Sequence, residues 1–294
     1  MKTVFITGAN GFIGKAVTQE LISHSYKVVG LTRSEEGAEV LKKLGAEPVM
    51  GTLADTDILY ECSHHADAVI HTAFNHDFST YIQNCEDDRK IIEQLGHALK
   101  NTSKPMLITS AALYSGQEEN TPNDRPLLTS KEIPRLASDE SALQCKKNGV
   151  NSMIIGLPQV HNTERFGLIN AFIAMAQQHG KACYVGEGKN CWSAAHISDI
   201  AQLYRLILEN GKAGHKYVAV AEEDIPFIRI AQALGEKLQL PVSSIPKEEA
   251  KNYFGQLGDL AQNSLNESGT LTRESLHWQP KGPSIFDDLA KLKI

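Results

Sequence analysis

TVFITGANGFIG, from Thr3 to Gly14, joins a β-branched and aromatic run directly to a segment with helical spacing. Thr3 to Thr7 reads as a strand, and Phe12 to His24 carries Ile13, Val17, Leu21 and Ile22 on one helical face. Three glycines stand between the two runs. In a strand-to-helix turn, Gly8 permits the tight bend, Gly11 lets backbone approach a pyrophosphate, and Gly14 lets helix and sheet pack closely. The helix N-terminus then offers N–H groups and a positive dipole end to phosphates. The stretch therefore implies a dinucleotide-binding loop that includes Asn10, Phe12 and Ile13 beside the glycines.

Working outward, further short β-branched runs recur at residues 27–31, 47–50, 68–71, 106–109 and 151–155. Helix-like segments separate them, at residues 35–44, 55–63, 80–100 and 132–148. Alternating strands and helices predict an α/β fold: a doubly wound, mostly parallel sheet of the Rossmann fold type. Beyond about residue 160 the rhythm loosens, with helices expected over 166–179, 197–209, 225–238 and 285–293, and a strand over 217–221. Pro226, Pro241, Pro246, Pro280 and Pro283 break up the tail. The expected division is a dinucleotide-binding domain over 1–160 and a small, closely packed substrate-binding region over 161–294, with about 182–210 returning to the first. A ligand would sit at the carboxyl ends of the strands.

Composition excludes several classes. With 294 residues, 41% hydrophobic and 22% charged, the chain is long and apolar enough to bury a core. Its net charge of −6 comes without any basic block that could follow a nucleic-acid backbone. No apolar stretch approaches the roughly 20 residues of a spanning helix, and a strand already starts at Thr3, so neither membrane nor signal peptide is expected. Five scattered cysteines, without Cys-x-x-Cys spacing, suit a reducing, cytoplasmic compartment. Cys183 and Cys191 are better read as free thiols than as a redox pair. No metal is expected, because His71, His76 and Asp77 fit no ligand spacing, and His64-His65 reads as a solvated helix end. The partner expected is a small-molecule substrate, and the sequence admits a homodimer.

The end of the second strand, Leu31-Thr32-Arg33-Ser34, carries no carboxylate for a ribose 2′-hydroxyl. Arg33 and Ser34 suit a 2′-phosphate instead, which favours NADP over NAD. Ser34 also suits the N-cap of the next helix, with Glu35 and Glu36 in its first turn.

TGANGFIG is a full match to the TGxxGxxG loop of the extended short-chain dehydrogenase/reductase family, which the chain resembles through most of its length. VIHTAF (69–74) resembles that family's fourth-strand motif, and MLITSAALYSG (106–116) its fifth-strand segment. GLPQVHN (156–162) resembles its sixth-strand turn, and WSAAHISDIA (192–201) a segment opening a helix beneath the site. The subgroup most resembled is the NAD-dependent epimerase/dehydratase group. The resemblance implies cofactor contacts from Leu53, Thr72, Ala73, Phe74, Thr109, Leu157 and Pro158, and places Ser110 as the residue that orients a carbonyl. His161, Phe78 and Trp192 are expected to line the substrate site.

The resemblance also implies a Tyr-x-x-x-Lys pair about 20 to 25 residues after Ser110, where a cation lowers the tyrosine pKa from near 10. Residues 127–145, LLTSKEIPRLASDESALQC, contain no tyrosine. Tyr114, Tyr81, or a charged group among Lys131, Glu132 and Arg135 are the substitutes. Ser110 lacks the flanking glycines of a hydrolase elbow. The expected activity is NADPH-dependent reduction of a small aldehyde or ketone. The alternatives are a catalytically silent NADP sensor and a sugar-nucleotide epimerase or dehydratase.

Overall fold

In the computed structural model, which describes residues 1–112 and 128–293, the alternating runs become strands and helices in turn. In chain order the strands are β1 (Thr3–Thr7), β2 (Lys27–Thr32), β3 (Glu47–Met50), β4 (Ala68–His71), β5 (Pro105–Ala111), β6 (Asn151–Leu157), β7 (Gln159–His161), β8 (Ala182–Val185), β9 (Cys191–His196), β10 (Lys216–Val218), β11 (Glu222–Pro226) and β12 (Val242–Ile245). The longer helices are α1 (Phe12–Ser23), α2 (Glu35–Lys43), α3 (Thr56–His65), α4 (Tyr81–Leu99), α5 (Ala137–Lys147), α6 (Ile169–His179), α7 (Ile197–Asn210) and α8 (Phe227–Leu238).

The chain forms two compact units. The first holds Met1–Gly156, Ile200–Tyr217 and Glu274–Trp278; the second holds Leu157–Asp199, Val218–Arg273 and Gln279–Ile294. The segments that return to the first unit are thus 200–217 and 274–278, whereas 182–199 stay in the second. The reason lies in strand pairing: β8 pairs with β12, and β9 lies between β7 and β11.

A seven-stranded sheet in the order β10-β6-β5-β4-β1-β2-β3 supports the first unit. Its pairs β1–β2, β1–β4, β2–β3 and β4–β5 are parallel. Parallel strands covered on both faces need apolar runs without alternation. Val4, Phe5 and Ile6, then Val69 and Ile70, then Met106, Leu107 and Ile108, are accordingly all fully buried. Phe5, Val69 and Ile108 pack with Ile92, Leu95 and Leu99 of α4 and with Ala142 and Cys145 of α5. The helix expected over 132–148 begins later, as a 3-10 turn at Pro134–Leu136 followed by α5, because Pro134 cannot continue a helix already begun.

In the second unit β9 runs antiparallel to β11 and parallel to β7. Phe172, Trp192, Phe227 and Phe254 pack together with centroids 5.2 to 6.1 Å apart, Phe172 and Trp192 tilted and the other pairs edge to face. Among the described residues no helix is long and apolar enough to cross a membrane.

The loop between β1 and α1 depends on two glycines. Gly8 has φ +72°, and a Cβ there would stand 2.7 Å from the Ala73 backbone nitrogen. A Cβ on Gly14 would run into the Gly8 carbonyl oxygen. Gly8→Ala therefore combines left-handed strain with a backbone clash, and a loss of about 2–4 kcal/mol is expected. Urea unfolding midpoints measure it; a midpoint unchanged from the parent contradicts this account of the turn.

Candidate functional site

At the head of α1 the Gly11 N–H closes a turn onto the Gly8 carbonyl at 2.9 Å. Among the described residues no side chain caps the helix, and its first turn contains no acid. Gly11 is exposed, and a Cβ on it would meet only the Gly8 oxygen, at 3.1 Å. Backbone amides with open space beside them are what a pyrophosphate needs, so the residues present fit a dinucleotide. Phe12 and Ile13 are half-buried at the same turn.

The chain leaving β4 forms the next wall. The Thr72 hydroxyl donates to the Thr7 carbonyl at 2.7 Å, Ala73 lies against Gly8, and Phe74 carries the Arg135 guanidinium 4.1 Å above its ring. Beyond β2, Gly37 leaves room for the side chains of Thr32 and Asn10. Arg33 and Ser34 are exposed. The Ser34 hydroxyl accepts from the Gly37 N–H at 3.1 Å and caps α2, with Glu35 and Glu36 in the first turn. Leu53 is half-buried against the core. Leu157 and Pro158 belong to the second unit.

Below these walls the first unit holds a buried polar chain. His71 Nδ1 pairs with the Thr7 hydroxyl at 2.6 Å and Nε2 with Asp88 Oδ1 at 2.9 Å. Asp88 Oδ2 accepts from Arg135 at 2.9 Å and from Ser138. Arg135 also donates to the Thr109 carbonyl at 2.9 Å. The Thr109 hydroxyl is shared with Tyr204 at 2.6 Å, so neither polar group of Thr109 is idle. Burial by itself would raise the Asp88 pKa, but His71, Arg135 and Ser138 together hold it down at about 2.

Ser110, 3% exposed at the end of β5, donates to Asp139 Oδ2 on α5. Asp139 Oδ1 is 2.7 Å from the Lys216 ammonium of β10, and both side chains are 2% exposed. The Lys216 stem passes Gly156 of β6, where a Cβ would stand 3.0 Å from its Cε.

Arg135 and Asp139 lie 25 and 29 residues after Ser110 and four apart, at the place and spacing expected of tyrosine and lysine. Of the substitutes, Arg135 is engaged with Asp88, Ser138 and Thr109. Lys131 and Glu132 are exposed. Burial, with Cys85 adding, pushes the Tyr81 hydroxyl up to about 12, away from neutral proton exchange. Tyr114 lies outside the described residues. Asp139 and Lys216 were missed from sequence. The i, i+4 step from Arg135 points to Asp139, whereas Lys216, 77 residues further on, carries no local signal.

Two expected substrate contacts are buried within the second unit. His161 is fully buried, with Nδ1 2.7 Å from Asp288 Oδ2 and Nε2 3.4 Å from Glu222 Oε1. Asp288 holds its Nδ1, while Nε2 has no hydrogen-bond partner among the described residues. Trp192 is fully buried in the aromatic cluster, and its indole N–H donates to the Asn263 carbonyl at 3.1 Å. Phe78 differs: it is half-buried in the first unit, stacked on Tyr81 at 5.6 Å.

A sequence profile described as "NAD dependent epimerase/dehydratase family" matches residues 4–220. An uncharacterised protein of Schizosaccharomyces pombe is 38% identical over 288 residues, 98% of each chain. The sterol-4-alpha-carboxylate 3-dehydrogenase, decarboxylating, of Dictyostelium discoideum is 29% identical, covering 100% of this chain and 95% of the relative. Among solved structures, the dTDP-glucose 4,6-dehydratase DesIV of Streptomyces venezuelae superposes with a TM-score of 0.76 at 19% identity, covering 98% and 95% of the two chains. At that identity the likeness is one of fold.

The depressed Asp88 pKa gives a pH test. The folded state keeps Asp88 ionised to lower pH than the unfolded chain, where it titrates near 3.8. Its contribution, about 2 kcal/mol, is present above pH 4 and lost as pH falls toward 2. Urea midpoints across this window are expected to fall in the parent and to fall less in Asp88→Asn; parallel slopes would contradict the assignment.

Proposed function

The chain belongs to the NAD dependent epimerase/dehydratase family, and on that footing we propose that it is an NADP-linked oxidoreductase that reduces a small carbonyl compound to its alcohol. The observation that carries this reading is the α1 head: a helix N-terminus with exposed Gly11 at its N-cap, no side-chain cap among the described residues and no first-turn acid, in a turn that Gly8 and Gly14 keep free of side chains. Gly8, Asn10, Gly11, Phe12, Ile13 and Gly14 would hold the pyrophosphate, with Thr72, Ala73 and Phe74 beside them. When bound, a nicotinamide dinucleotide supplies the hydride.

The choice of NADP rests on the tip of β2, where Thr32 is followed by exposed Arg33 and Ser34 with no carboxylate in register. Arg33 would pair with a 2′-phosphate in two-point fashion. Glu35 and Glu36 follow within the first turn of α2 and oppose it, so Arg33 has to supply the local attraction. Ser110 is the residue assigned to touch the substrate oxygen.

A second reading, a nucleotide sensor without turnover, draws support from Arg135 and Asp139 standing where a Tyr-Lys pair is expected. Sugar-nucleotide epimerisation has no comparable support, since it leans hardest on that tyrosine.

Thermal melts are expected to rise more with NADPH than with NADH, and Arg33→Ala to remove the difference. Equal rises in the parent refute the phosphate assignment. In an NADPH-oxidation screen over aldehydes, ketones and quinones, turnover is expected, and Ser110→Ala should lower it by roughly 10²-fold. Tight NADPH binding with no turnover on any of them overturns the reductase in favour of the sensor.

A further inference from the structure

A serine hydroxyl carries one hydrogen and two lone pairs, so whatever takes the hydrogen decides what remains for a ligand. In this protein Asp139 Oδ2 takes it. The other oxygen, Oδ1, faces Lys216 at 2.7 Å. An ionised carboxylate only accepts, so Ser110 is the donor to Asp139, and the Lys216 ammonium holds the carboxylate in place as an ion pair beside Oδ1. All three side chains are withdrawn from water, Ser110 at 3% exposure and the two charged groups at 2%. Gly156 keeps the path of the Lys216 stem clear, which makes the pairing a feature of the fold and not a chance of one rotamer.

We infer that Asp139, held by Lys216, fixes Ser110 as a hydrogen-bond acceptor, so that the ligand group it recognises is a hydroxyl donor: the alcohol member of the carbonyl/alcohol pair. The inference rests on the reading above that Ser110 touches the substrate oxygen. It narrows that reading, because a carbonyl, which only accepts, finds no donor in the resting Ser110. A carbonyl substrate is then bound through Ser110 only after the hydroxyl has turned away from Asp139. Asp139 and Lys216 are positioning residues, acting on the ligand through Ser110.

The arrangement is reversible by a single isosteric change. In Asp139→Asn, Lys216 can only donate, so the amide oxygen turns to Lys216 and the amide nitrogen turns to Ser110. Ser110 Oγ then accepts from the amide, and its own hydrogen is released toward the ligand. A purely structural role for the pair would weaken binding of every probe alike; a positioning role inverts a preference.

The test uses two probes of similar shape, 2,2,2-trifluoroethanol, which donates, and its methyl ether, which only accepts. Each is titrated by fluorine NMR into the full chain at low millimolar concentration, with and without NADP. The parent is expected to bind the alcohol at least about fivefold more tightly than the ether, in line with one hydrogen bond made or lost. Asp139→Asn is expected to reverse that order, and Ser110→Ala to bind both equally. Ser110→Ala also serves as the control should Asp139→Asn fail to fold. Equal binding of the two probes by the parent, no binding of either, or an unchanged order in a folded Asp139→Asn overturns the inference. Failure of the oxidoreductase reading shows separately, as NADP binding without turnover or no NADP binding at all, and leaves the probe order still readable.

Discussion

The buried contact between Asp139 and Lys216 constrains much of what surrounds it. Removing two charges from water costs several kcal/mol each, and only close mutual approach with further hydrogen bonds offsets it. Each neighbour contributes to that offset. Ser110 supplies a donor to the second carboxylate oxygen, and Gly156 yields the space that the lysine stem occupies. Asp139 itself sits in the first turn of α5, where the helix dipole favours a negative charge. Lys216 comes from β10, at one end of the sheet, and Ser110 from β5, two strands in. The pair thus binds an outer strand, a central strand and a covering helix through one carboxylate.

One helical turn earlier, Arg135 organises a second buried chain by the same logic with the sign reversed. Its guanidinium is spent on Asp88, Ser138 and the Thr109 carbonyl, and Asp88 in turn holds His71. A Tyr-x-x-x-Lys pair places a proton donor first and a free cation four residues on, so that the cation lowers the donor's pKa. Here a cation comes first and an anion follows, and each is neutralised by a partner from elsewhere in the first unit. The spacing is kept while the charges at the two positions differ from those of a Tyr-Lys pair.

The parts of this protein that could be read from sequence are those governed by neighbours along the chain. Gly8 announces a left-handed turn, and the apolar runs of β1, β4 and β5 announce a sheet covered on both faces, because backbone sterics and hydrophobic period are local. The bearing of a side chain is not local. His161 and Trp192 stand in motifs that suggested a substrate wall, yet both point into the core of the second unit, one onto Asp288 and one into a ring of phenylalanines. Ser110 was identified at its place but not in its orientation, since Asp139 and Lys216 reach it only when α5 and β10 close on the sheet. Ser34 takes its N-cap reading, as its hydroxyl caps α2.

The net charge of −6 sets a last requirement on any anionic cofactor. At physiological salt, fields fade over about 8 Å, so the overall acidity matters less than which carboxylates stand within that range of a phosphate. α1 has none in its first turn, whereas α2 has Glu35 and Glu36. The first turn of α1 thus sets no carboxylate of its own against a phosphate. At the ribose end the dipole of α2 is already answered by its own acids and by the Ser34 cap, leaving Arg33 as the group whose charge is set against them. The proposed pyrophosphate site is thus a matter of backbone geometry, which Gly8 and Gly14 keep free of side chains. On the proposed NADP reading, discrimination between the two dinucleotides would rest on one exposed side chain, Arg33, the part of the cradle most easily changed.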